Sequence, residues 1–196
     1  MGKGAAGFTL GELMMTLAVA AVVVAIGAPS FREFQRNNRL TAAANDFLTS
    51  LQLARTEAIK RQRTVAVCAS SAPGSPAAVC NAGDFRGWIV FEDRDGNCQR
   101  AANEPLTGTG GPLDPAIANA ADGACAAFSP TGFAVAVGGV PRLTRILFCD
   151  ERGLQNQAGT ALSAARGIAI ANTGRGQIVR DPVAIGSWEL ECDAES

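Results

Sequence analysis

The chain has 196 residues, of which 47% are hydrophobic and 18% are charged, and its formal net charge is −1. This composition supports one folded domain plus an extra segment, argues against disorder, and gives no overall charge that attracts nucleic acid or an anionic membrane. The sequence contains 0 His and 0 Tyr, so it lacks the usual general base and the commonest metal ligand, and we expect neither an enzyme nor a cofactor.

The amino-terminal region contains a long apolar segment. A short polar stretch with Lys3 comes first, and from Leu13 to Ala28 the only polar side chain is Thr16. This run is slightly short for a full crossing of the hydrocarbon layer, and residues 8–11 extend it at its start. We therefore predict a transmembrane helix segment over residues 8–29.

A charged residue, Glu12, stands inside this apolar segment. A carboxylate near the middle of a bilayer costs about 2.5–3.5 kcal/mol on the insertion scale, so it is expected to have a partner. Cleavage between Gly7 and Phe8 creates an α-amino group four residues before Glu12, and that amine of a neighbouring subunit supplies such a partner. The apolar segment has two alternative interpretations. One is an ordinary secretory signal that is cleaved near Ala28, and the other is a membrane anchor for a periplasmic domain that does not assemble with other subunits.

Residues 7–13, GFTLGEL, resemble the class III signal of type IV pilins and pseudopilins. The resemblance implies that residues 1–7 are a leader peptide and that a prepilin peptidase cuts after Gly7 and methylates the amino group of Phe8. It also implies that Glu12, at the fifth position of the mature chain, guides packing into a filament. Pro29 falls where pilins commonly carry a proline that kinks the helix.

Residues 30–63 continue the helical pattern as an amphipathic segment. Apolar residues recur at three- and four-residue steps, with Arg, Asn and Gln between them. These are Leu40, Ala44, Phe47, Leu51, Ala54 and Ala58. We interpret this stripe as the face on which the globular head, residues 64–196, is packed.

After Arg63 the pattern changes to short segments with strand character, separated by Gly, Pro, Asn and Asp. These segments are Thr64–Ala69, Gly87–Glu92, Phe133–Val137, Arg145–Cys149, Gly167–Ala171, Gln177–Arg180 and Ser187–Cys192. We interpret residues 70–83 and 101–123 as loops. The predicted fold class is α+β: a long N-terminal α-helix, transmembrane and then amphipathic, packed on an antiparallel β-sandwich head.

All 6 cysteines follow the apolar segment, and none forms a CxxC pair. An even count without metal-ligand spacing predicts disulfides in an oxidising compartment, with free buried thiols as the alternative. The spacing does not choose among the pairings of six cysteines. Our working hypothesis is consecutive pairing: Cys68–Cys80, Cys98–Cys125 and Cys149–Cys192.

The order of motifs resembles one branch of the pilins, the GspH pseudopilins and FimT/FimU minor pilins. The motifs are NRLTAAANDFLTSLQLARTEAIKRQRTVAVC, GWIVFEDRDGN, FSPTGF, LFCDERG and RGIAIANTGRGQ, in chain order. The resemblance implies a long N-terminal helix and a β-sandwich head. It also implies a low-abundance subunit near the filament tip that helps to start the assembly of a type IV pilus.

The same resemblance implies partners and a location. The expected partners are other minor and major pilins, the prepilin peptidase, the inner-membrane assembly platform and inner-membrane lipid. The expected location is the inner membrane, crossed once, with the head in the periplasm until the subunit enters a filament. A GspH-type pseudopilin of type II secretion is the alternative system.

An acidic run follows the second strand segment. Asp93, Asp95, Asn97 and Glu104 match the first, third, fifth and twelfth ligand positions of a calcium loop. Cys98 occupies the sixth position, where such loops require glycine. Because Asp-Gly-Asn is also an ordinary hairpin turn, we favour a turn, with calcium binding as the alternative.

Residues 174–177, GRGQ, lie where FimT-like proteins carry a Gly-Arg-x-Arg motif linked to DNA capture during natural transformation. In this chain Gln177 replaces the second arginine. Arg175 is the candidate DNA contact, and Arg166 and Arg180 assist it if the fold brings them near. Each lost phosphate contact lowers a salt-dependent affinity, so the alternative is a tight turn that carries a solvated Arg175.

Overall fold

The computed structural model describes residues 7–81, 83–157 and 159–192. The predicted leader therefore lies outside the described residues, apart from Gly7. The chain divides into two compact units, residues 1–38 and residues 39–196. Helix α1 spans Leu10–Arg61, so it begins in the first unit and ends in the second.

Past α1, the described part of the chain forms nine strands and one short helix. They are β1 (Val65–Ala69), β2 (Trp88–Glu92), β3 (Leu106–Gly110), β4 (Ala118–Ala121), β5 (Cys125–Phe128), β6 (Ala134–Val135), β7 (Arg145–Cys149), β8 (Arg166–Ile170), β9 (Gly176–Val179) and α2 (Pro182–Gly186). All of them belong to the second unit.

The strands form two sheets. The first has five strands in the order β3-β2-β1-β5-β6, and the second has four in the order β4-β7-β8-β9. Every pair of neighbouring strands is antiparallel. Because the carboxyl-terminal part of α1 packs on both sheets, the predicted α+β class, a long N-terminal helix on antiparallel sheets, is confirmed.

The apolar stripe of α1 forms the centre of the core. All six stripe positions, from Leu40 to Ala58, are buried. The ring of Phe47 makes edge-on contacts with Phe85, with Trp88 in β2 and with Phe148 in β7, at centroid distances of 5.5, 5.1 and 5.8 Å. Such edge-to-face pairs are favourable beyond the apolar area that they bury. One helical side chain therefore links both sheets.

The two flanks of α1 fit against the sheets where glycine leaves space. A Cβ on Gly108 in β3 would lie 2.7 Å from a methyl carbon of Leu53, and a Cβ on Gly176 in β9 would lie 2.7 Å from a methyl carbon of Leu48. Real Cβ atoms do not approach so closely. Leu53 and Leu48 lie on opposite flanks of the helix, so these glycines let α1 touch the first sheet on one side and the second sheet on the other.

Helix α1 ends two residues before the predicted boundary. Gln62 adopts a left-handed conformation with φ of 54°, and the amide of Arg63 donates to the carbonyl oxygen of Ala58 at 3.3 Å. The Gln62 side chain also donates to the carbonyl oxygen of Ile59. The bond from Arg63 to Ala58 is the outer bond of a Schellman cap, formed here with Gln62 in the position that glycine usually occupies.

One loop prediction and one strand prediction are wrong. Residues 101–123, predicted as a loop, contain β3 and β4, and the strand predicted over residues 187–192 does not form. Helix α2 ends just before that segment, and the side chain of Asp181 caps it by accepting from the amide of Ala184 at 2.9 Å. The ring of Trp188 then lies where a Cβ on Gly167 in β8 would be, so this segment covers the sheet instead of joining it.

Each sheet is also covered on the face turned away from α1. In the first sheet that face includes Ala66, Ile89 and Phe91, which pack with residues of the covering loops. In the second sheet it includes Leu147, which packs with Ile185 of α2. Because both faces are buried, β1 and β2 are buried at every position and do not alternate with exposed residues.

The three disulfides attach these covering segments to the sheets. All six cysteines are bonded, in the consecutive pairing of the working hypothesis: Cys68–Cys80, Cys98–Cys125 and Cys149–Cys192. Cys68, Cys125 and Cys149 lie in strands, whereas their partners lie in the loops or the carboxyl-terminal segment. The bonds thus join one strand residue to one covering segment in each case.

Candidate functional site

The start of α1 forms a reciprocal cap. The backbone amide and the hydroxyl of Thr9 both donate to the Oε2 atom of Glu12, each at 2.9 Å. The amide of Glu12 in turn donates to the Thr9 hydroxyl oxygen at 3.2 Å. This is the capping box of Ser/Thr-x-x-Glu sequences, with Thr9 as the N-cap. The carboxylate predicted to guide assembly therefore has a partner within its own chain.

Gly7 and Phe8 precede the helix without regular secondary structure, and the side chain of Phe8 is 83% exposed. A peptidase can bind an accessible backbone outside regular structure, whereas a helical peptide bond is shielded by its neighbours. The predicted cleavage point between Gly7 and Phe8 lies in this segment, three residues from the amino-terminal residue of α1.

The apolar part of α1 presents its side chains outward in all directions. Its large exposed residues are Leu10, Leu13, Met14, Met15, Leu17, Val19, Val22, Val23, Val24, Ile26, Phe31 and Phe34. Among the described residues, α1 is the one helix long and apolar enough to cross a membrane. A helix that is apolar all round requires an apolar environment, either lipid or a bundle of similar helices.

Pro29 lies inside α1, which is assigned as continuous through it. Proline has no backbone N–H to donate to the preceding turn, so one intrahelical hydrogen bond is missing there. The hydroxyl of the next residue, Ser30, donates to the carbonyl oxygen of Gly27 at 2.9 Å. The carbonyl left without its helical donor is that of Ala25, so the Ser30 bond adds a contact in this turn but does not replace the missing one.

The three arginines considered for DNA contact lie in different environments. Arg175 is exposed in the turn before β9, while Arg166 is buried at 4% exposure at the start of β8. Arg180 follows β9 and is partly buried, with its Nη2 atom donating to the Gln157 side chain at 2.5 Å. Of the three, Arg175 alone is exposed, so they do not form one exposed basic surface.

Arg166 is held by backbone groups. Its Nη1 atom donates to the carbonyl oxygens of Ser163, Ala164 and Ala165, and its Nη2 atom donates to the hydroxyl of Thr41 on α1 at 3.3 Å. Burial, together with the nearby guanidinium groups of Arg180 and Arg152, lowers the pKa of Arg166 to about 10. This side chain connects β8 to α1 and is not available to a polymer in solvent.

The acidic loop after β2 brings three carboxylates together. Oxygen atoms of Asp93, Asp95 and Glu104 all lie within 4.8 Å of one another, and Asp93 and Glu104 are buried. Burial and the charge of Glu104 raise the pKa of Asp93 above its ordinary value, against the effect of the hydrogen bonds that it accepts. The donor set of a divalent cation is therefore present in part.

The same carboxylates already accept hydrogen bonds from the loop backbone. Asp93 accepts from the amides of Gly96, Asn97 and Cys98 at 2.9–3.1 Å. The side-chain amide nitrogen of Asn97 donates to Asp95 at 2.7 Å, whereas the calcium alternative requires an oxygen ligand at this position. The first part of the loop between β2 and β3 is therefore stabilised by its own side chains.

Sequence reasoning missed a junction formed by the motifs SPTGF and ANTGR. The Nε atom of Arg55 on α1 donates to the carbonyl oxygen of Gly132 in the β5–β6 turn at 3.0 Å. The amide of Ala134 in β6 donates to the carbonyl oxygen of Asn172 in the β8–β9 turn at 3.0 Å. These contacts join α1, the first sheet and the second sheet at one point, so both motifs have a structural role.

Comparison with known proteins gives three results. No curated protein matches the chain. Among solved structures, the type IV minor pilin FimU of Pseudomonas aeruginosa (strain PAO1) is similar in two crystal forms. In the first form the TM-score is 0.46 at 18% identity, covering 81% of this chain and 96% of FimU. In the second form the TM-score is 0.41 at 16% identity, covering 78% and 97%.

The comparison with family models identifies the chain more directly. The model of the type II transport protein GspH matches residues 43–174, which is more than half of the chain. The match runs from the buried stripe of α1 into the β8–β9 turn, so it covers the whole first sheet and three of the four strands of the second. The chain belongs to the GspH family of pilin-like proteins.

Proposed function

We propose that this chain is a minor pilin that helps to start the assembly of a type IV pilus, near the filament tip. The observation that carries the proposal is the combination of a GspH-family head with an apolar helix that begins at a Thr9–Glu12 capping box. The chain acts as a structural subunit, and we propose no enzymatic activity for it. Its partners are other minor and major pilins.

Processing is the first step of the proposed function. A prepilin peptidase cuts between Gly7 and Phe8 and methylates the new amino group of Phe8. The exposed, non-helical backbone at this point supports the assignment. The processed subunit then waits in the inner membrane, with residues 8–29 in lipid, residues 30–63 continuing the helix and the head, residues 64–196, in the periplasm. The three disulfides are consistent with that oxidising compartment.

Assembly moves the helix from one apolar environment into another. The exposed apolar side chains of α1 leave lipid and enter a bundle of similar helices, so little apolar surface meets water during the transfer. An inner-membrane assembly platform drives this step. Because the solvation of the apolar side chains changes little, these side chains do not select one axial position of the subunit. That selection has to come from the few polar groups on the helix.

Glu12 is the group that we propose sets the register. In the isolated chain its carboxylate is occupied by Thr9. In the bundle it exchanges this neutral partner for the positively charged amino group of Phe8 on a neighbouring subunit. A charge-assisted hydrogen bond is stronger than a neutral one, and most of all where water is absent. The exchange therefore favours the assembled state at one axial position.

Substitution of Glu12 tests this proposal. We expect Glu12→Ala to be cleaved normally but to enter filaments less than wild type, since the variant lacks the carboxylate that binds the neighbour's amine. Immunoblots of membrane and sheared filament fractions measure both steps, and Thr9→Ala serves as a control that removes the cap but keeps the carboxylate. Normal incorporation of Glu12→Ala would count against the proposal.

A second candidate is a pseudopilin of type II secretion, which the description of the matching family favours. The chain would then enter a short periplasmic filament by the same helix transfer. Cross-linking from the head, followed by identification of the linked subunits, distinguishes the two systems. Linkage to a major pilin supports the pilus, and linkage to a major pseudopilin supports type II secretion.

A further inference from the structure

Four of the six cysteines lie together on the face of the first sheet that is turned away from α1. Cys68, Cys98 and Cys125 are buried in one apolar cluster on this face, and Cys80 packs against it. The remaining disulfide, which contains Cys149, belongs to a separate cluster on the second sheet. The disulfides Cys68–Cys80 and Cys98–Cys125 are therefore neighbours, whereas the third disulfide stands apart.

Cys68 and Cys125 face each other across the β1–β5 pair, although each is bonded to a different cysteine. They are register partners in the two antiparallel strands. The carbonyl oxygen of Cys125 accepts from the amide of Leu143 at 2.7 Å, outside the β1–β5 pair, so Cys68 and Cys125 form a non-hydrogen-bonded pair. The Cα atoms of such a pair lie about 4.5 Å apart, and disulfides join Cα atoms that are roughly 4.4–6.8 Å apart. The strand register therefore permits a Cys68–Cys125 bond.

The present partners of these two cysteines lie in loops that touch each other. Cys80 lies in the loop after β1, and Cys98 lies in the loop after β2. The Nη1 atom of Arg100, in the second of these loops, donates to the carbonyl oxygens of Pro76 and Ala78 in the first, at 3.1 and 2.8 Å. A bond between Cys80 and Cys98 would therefore join two segments that are already in contact.

Cys80 is the accessible member of this group. It is partly exposed, whereas Cys68, Cys98 and Cys125 are at most 2% exposed. A disulfide is exchanged when a thiolate attacks one of its two sulfur atoms and expels the other as a thiolate. Attack on the Sγ atom of Cys80 expels Cys68. The released thiolate is thus the one that lies opposite Cys125 in the neighbouring disulfide.

We propose that these four cysteines form a disulfide-exchange site that accepts a small thiol at Cys80. The thiolate of the small thiol bonds to Cys80 as a mixed disulfide and releases the thiolate of Cys68. The Cys68 thiolate attacks the Sγ atom of Cys125 and releases the thiolate of Cys98. The Cys98 thiolate attacks Cys80 and releases the small thiol. Each step breaks one S–S bond and forms another, so the sequence needs no oxidant or reductant.

The exchange changes what the two loops are attached to. In the observed pairing each loop is bonded to a strand of the first sheet. In the exchanged pairing Cys68 is bonded to Cys125, strand to strand, and Cys80 is bonded to Cys98, loop to loop. Both loops are then released from the sheet. The site is independent of the filament role proposed above, and its test does not require assembly.

A serine variant of the full-length chain in a neutral detergent tests the internal step without an added thiol. Cys80→Ser leaves Cys68 free beside the Cys98–Cys125 bond, as after the first step. At about pH 8, where part of a free thiol is ionised, we expect a Cys68–Cys125 bond to appear as the Cys98–Cys125 bond is lost. Acid quenching, alkylation and mass spectrometry of linked peptides measure both bonds. A variant that keeps Cys98–Cys125, with Cys68 alkylated, would overturn the proposal.

Two further variants make the test independent of one substitution. If Cys80→Ser does not fold, Cys98→Ser approaches the same product from the other disulfide, because its free Cys125 should attack Cys68 and release Cys80. Retention of Cys68–Cys80 in that variant would contradict the exchange. The matched control is Cys192→Ser, which frees a cysteine of the separate cluster and should leave both bonds of the four-cysteine group unchanged.

Reduced glutathione tests the point of entry in the wild type. Incubation of the folded chain with glutathione should produce the Cys68–Cys125 bond in an amount that grows with time, while Cys149–Cys192 is retained. Glutathione attached to Cys149 or Cys192 with the other pairs unchanged, or the observed pairing alone at all times, would contradict entry at Cys80.

Discussion

Gly174 packs directly on the carbonyl group of Gly132, so closely that a Cβ at residue 174 would lie 2.2 Å from that oxygen. Gly174 also has a φ of +76°, a conformation that other residues rarely adopt. The same oxygen accepts from Arg55 on α1. The β8–β9 turn, the β5–β6 turn and the helix therefore meet at one carbonyl group.

Substitution of Gly174 tests this junction. Gly174→Ala should lower the free energy of unfolding by several kcal/mol, because it adds a steric conflict to the roughly 1–2 kcal/mol of left-handed strain. Gly139→Ala is the matched control, since Gly139 has φ of +77° but open space around its Cβ position. Urea denaturation followed by tryptophan fluorescence measures both. Equal losses in the two variants would show that the close contact is unimportant.

Removal of single disulfides should loosen different covering segments. By the chain-entropy model, loss of Cys149–Cys192, separated by 43 residues, costs about 4 kcal/mol, and loss of Cys68–Cys80, separated by 12, costs about 3 kcal/mol. Each disulfide is removed by replacing both of its cysteines with serine, and the two resulting variants serve as controls for each other. Hydrogen exchange should rise in residues 182–191 for the first and in residues 70–87 for the second. An identical, uniform rise in both variants would contradict separate covering segments.

Asp93 should titrate above its ordinary pKa of 3.8, because burial and the nearby Glu104 disfavour its charged form. The folded protein then holds this proton more tightly than the unfolded chain. The resulting contribution to stability is fully present below pH 3.8 and is lost as the pH rises through the raised folded value. Carbon NMR of the Asp93 carboxyl group measures this titration directly.

Glu104→Gln should move the titration of Asp93 to lower pH, since it removes a repelling charge, while the exposed control Glu189→Gln should leave it unchanged. A midpoint at or below 3.8 in the wild type would contradict the burial argument. Repeating the titration with calcium chloride tests the metal interpretation of the loop, because a bound divalent cation would lower the pKa of Asp93.

Strong periodicity made much of the fold predictable. The three- and four-residue steps from Leu40 to Ala58 identified the buried face of α1, and RILFC and GIAIAN identified β7 and β8. In contrast, β3 and β4 consist of Gly, Thr, Ala and Asn with one Leu. Gly, Ala and Asn are depleted in strands, and these two strands form because they pair with β2 and β7.

The environment of a charged residue was not predictable from its position in the sequence. Arg166, Arg175 and Arg180 lie within fifteen residues of one another, yet one is buried, one is exposed and one is partly buried. The burial of Arg166 and Arg180 depends on tertiary packing, which brings Ser163 and Thr41 to Arg166 and Gln157 to Arg180. The role of Gly174 likewise depends on Gly132, which lies in the β5–β6 turn of the first sheet.

The amino terminus of the mature protein tests the central claim most directly. Mass spectrometry of the chain purified from the membranes of its host should find a protein that begins at Phe8 with a methylated amino group, because cleavage there produces the amine that pairs with Glu12. A chain that still begins at Met1, or one trimmed near Ala28, would carry no such amine and would contradict the filament account.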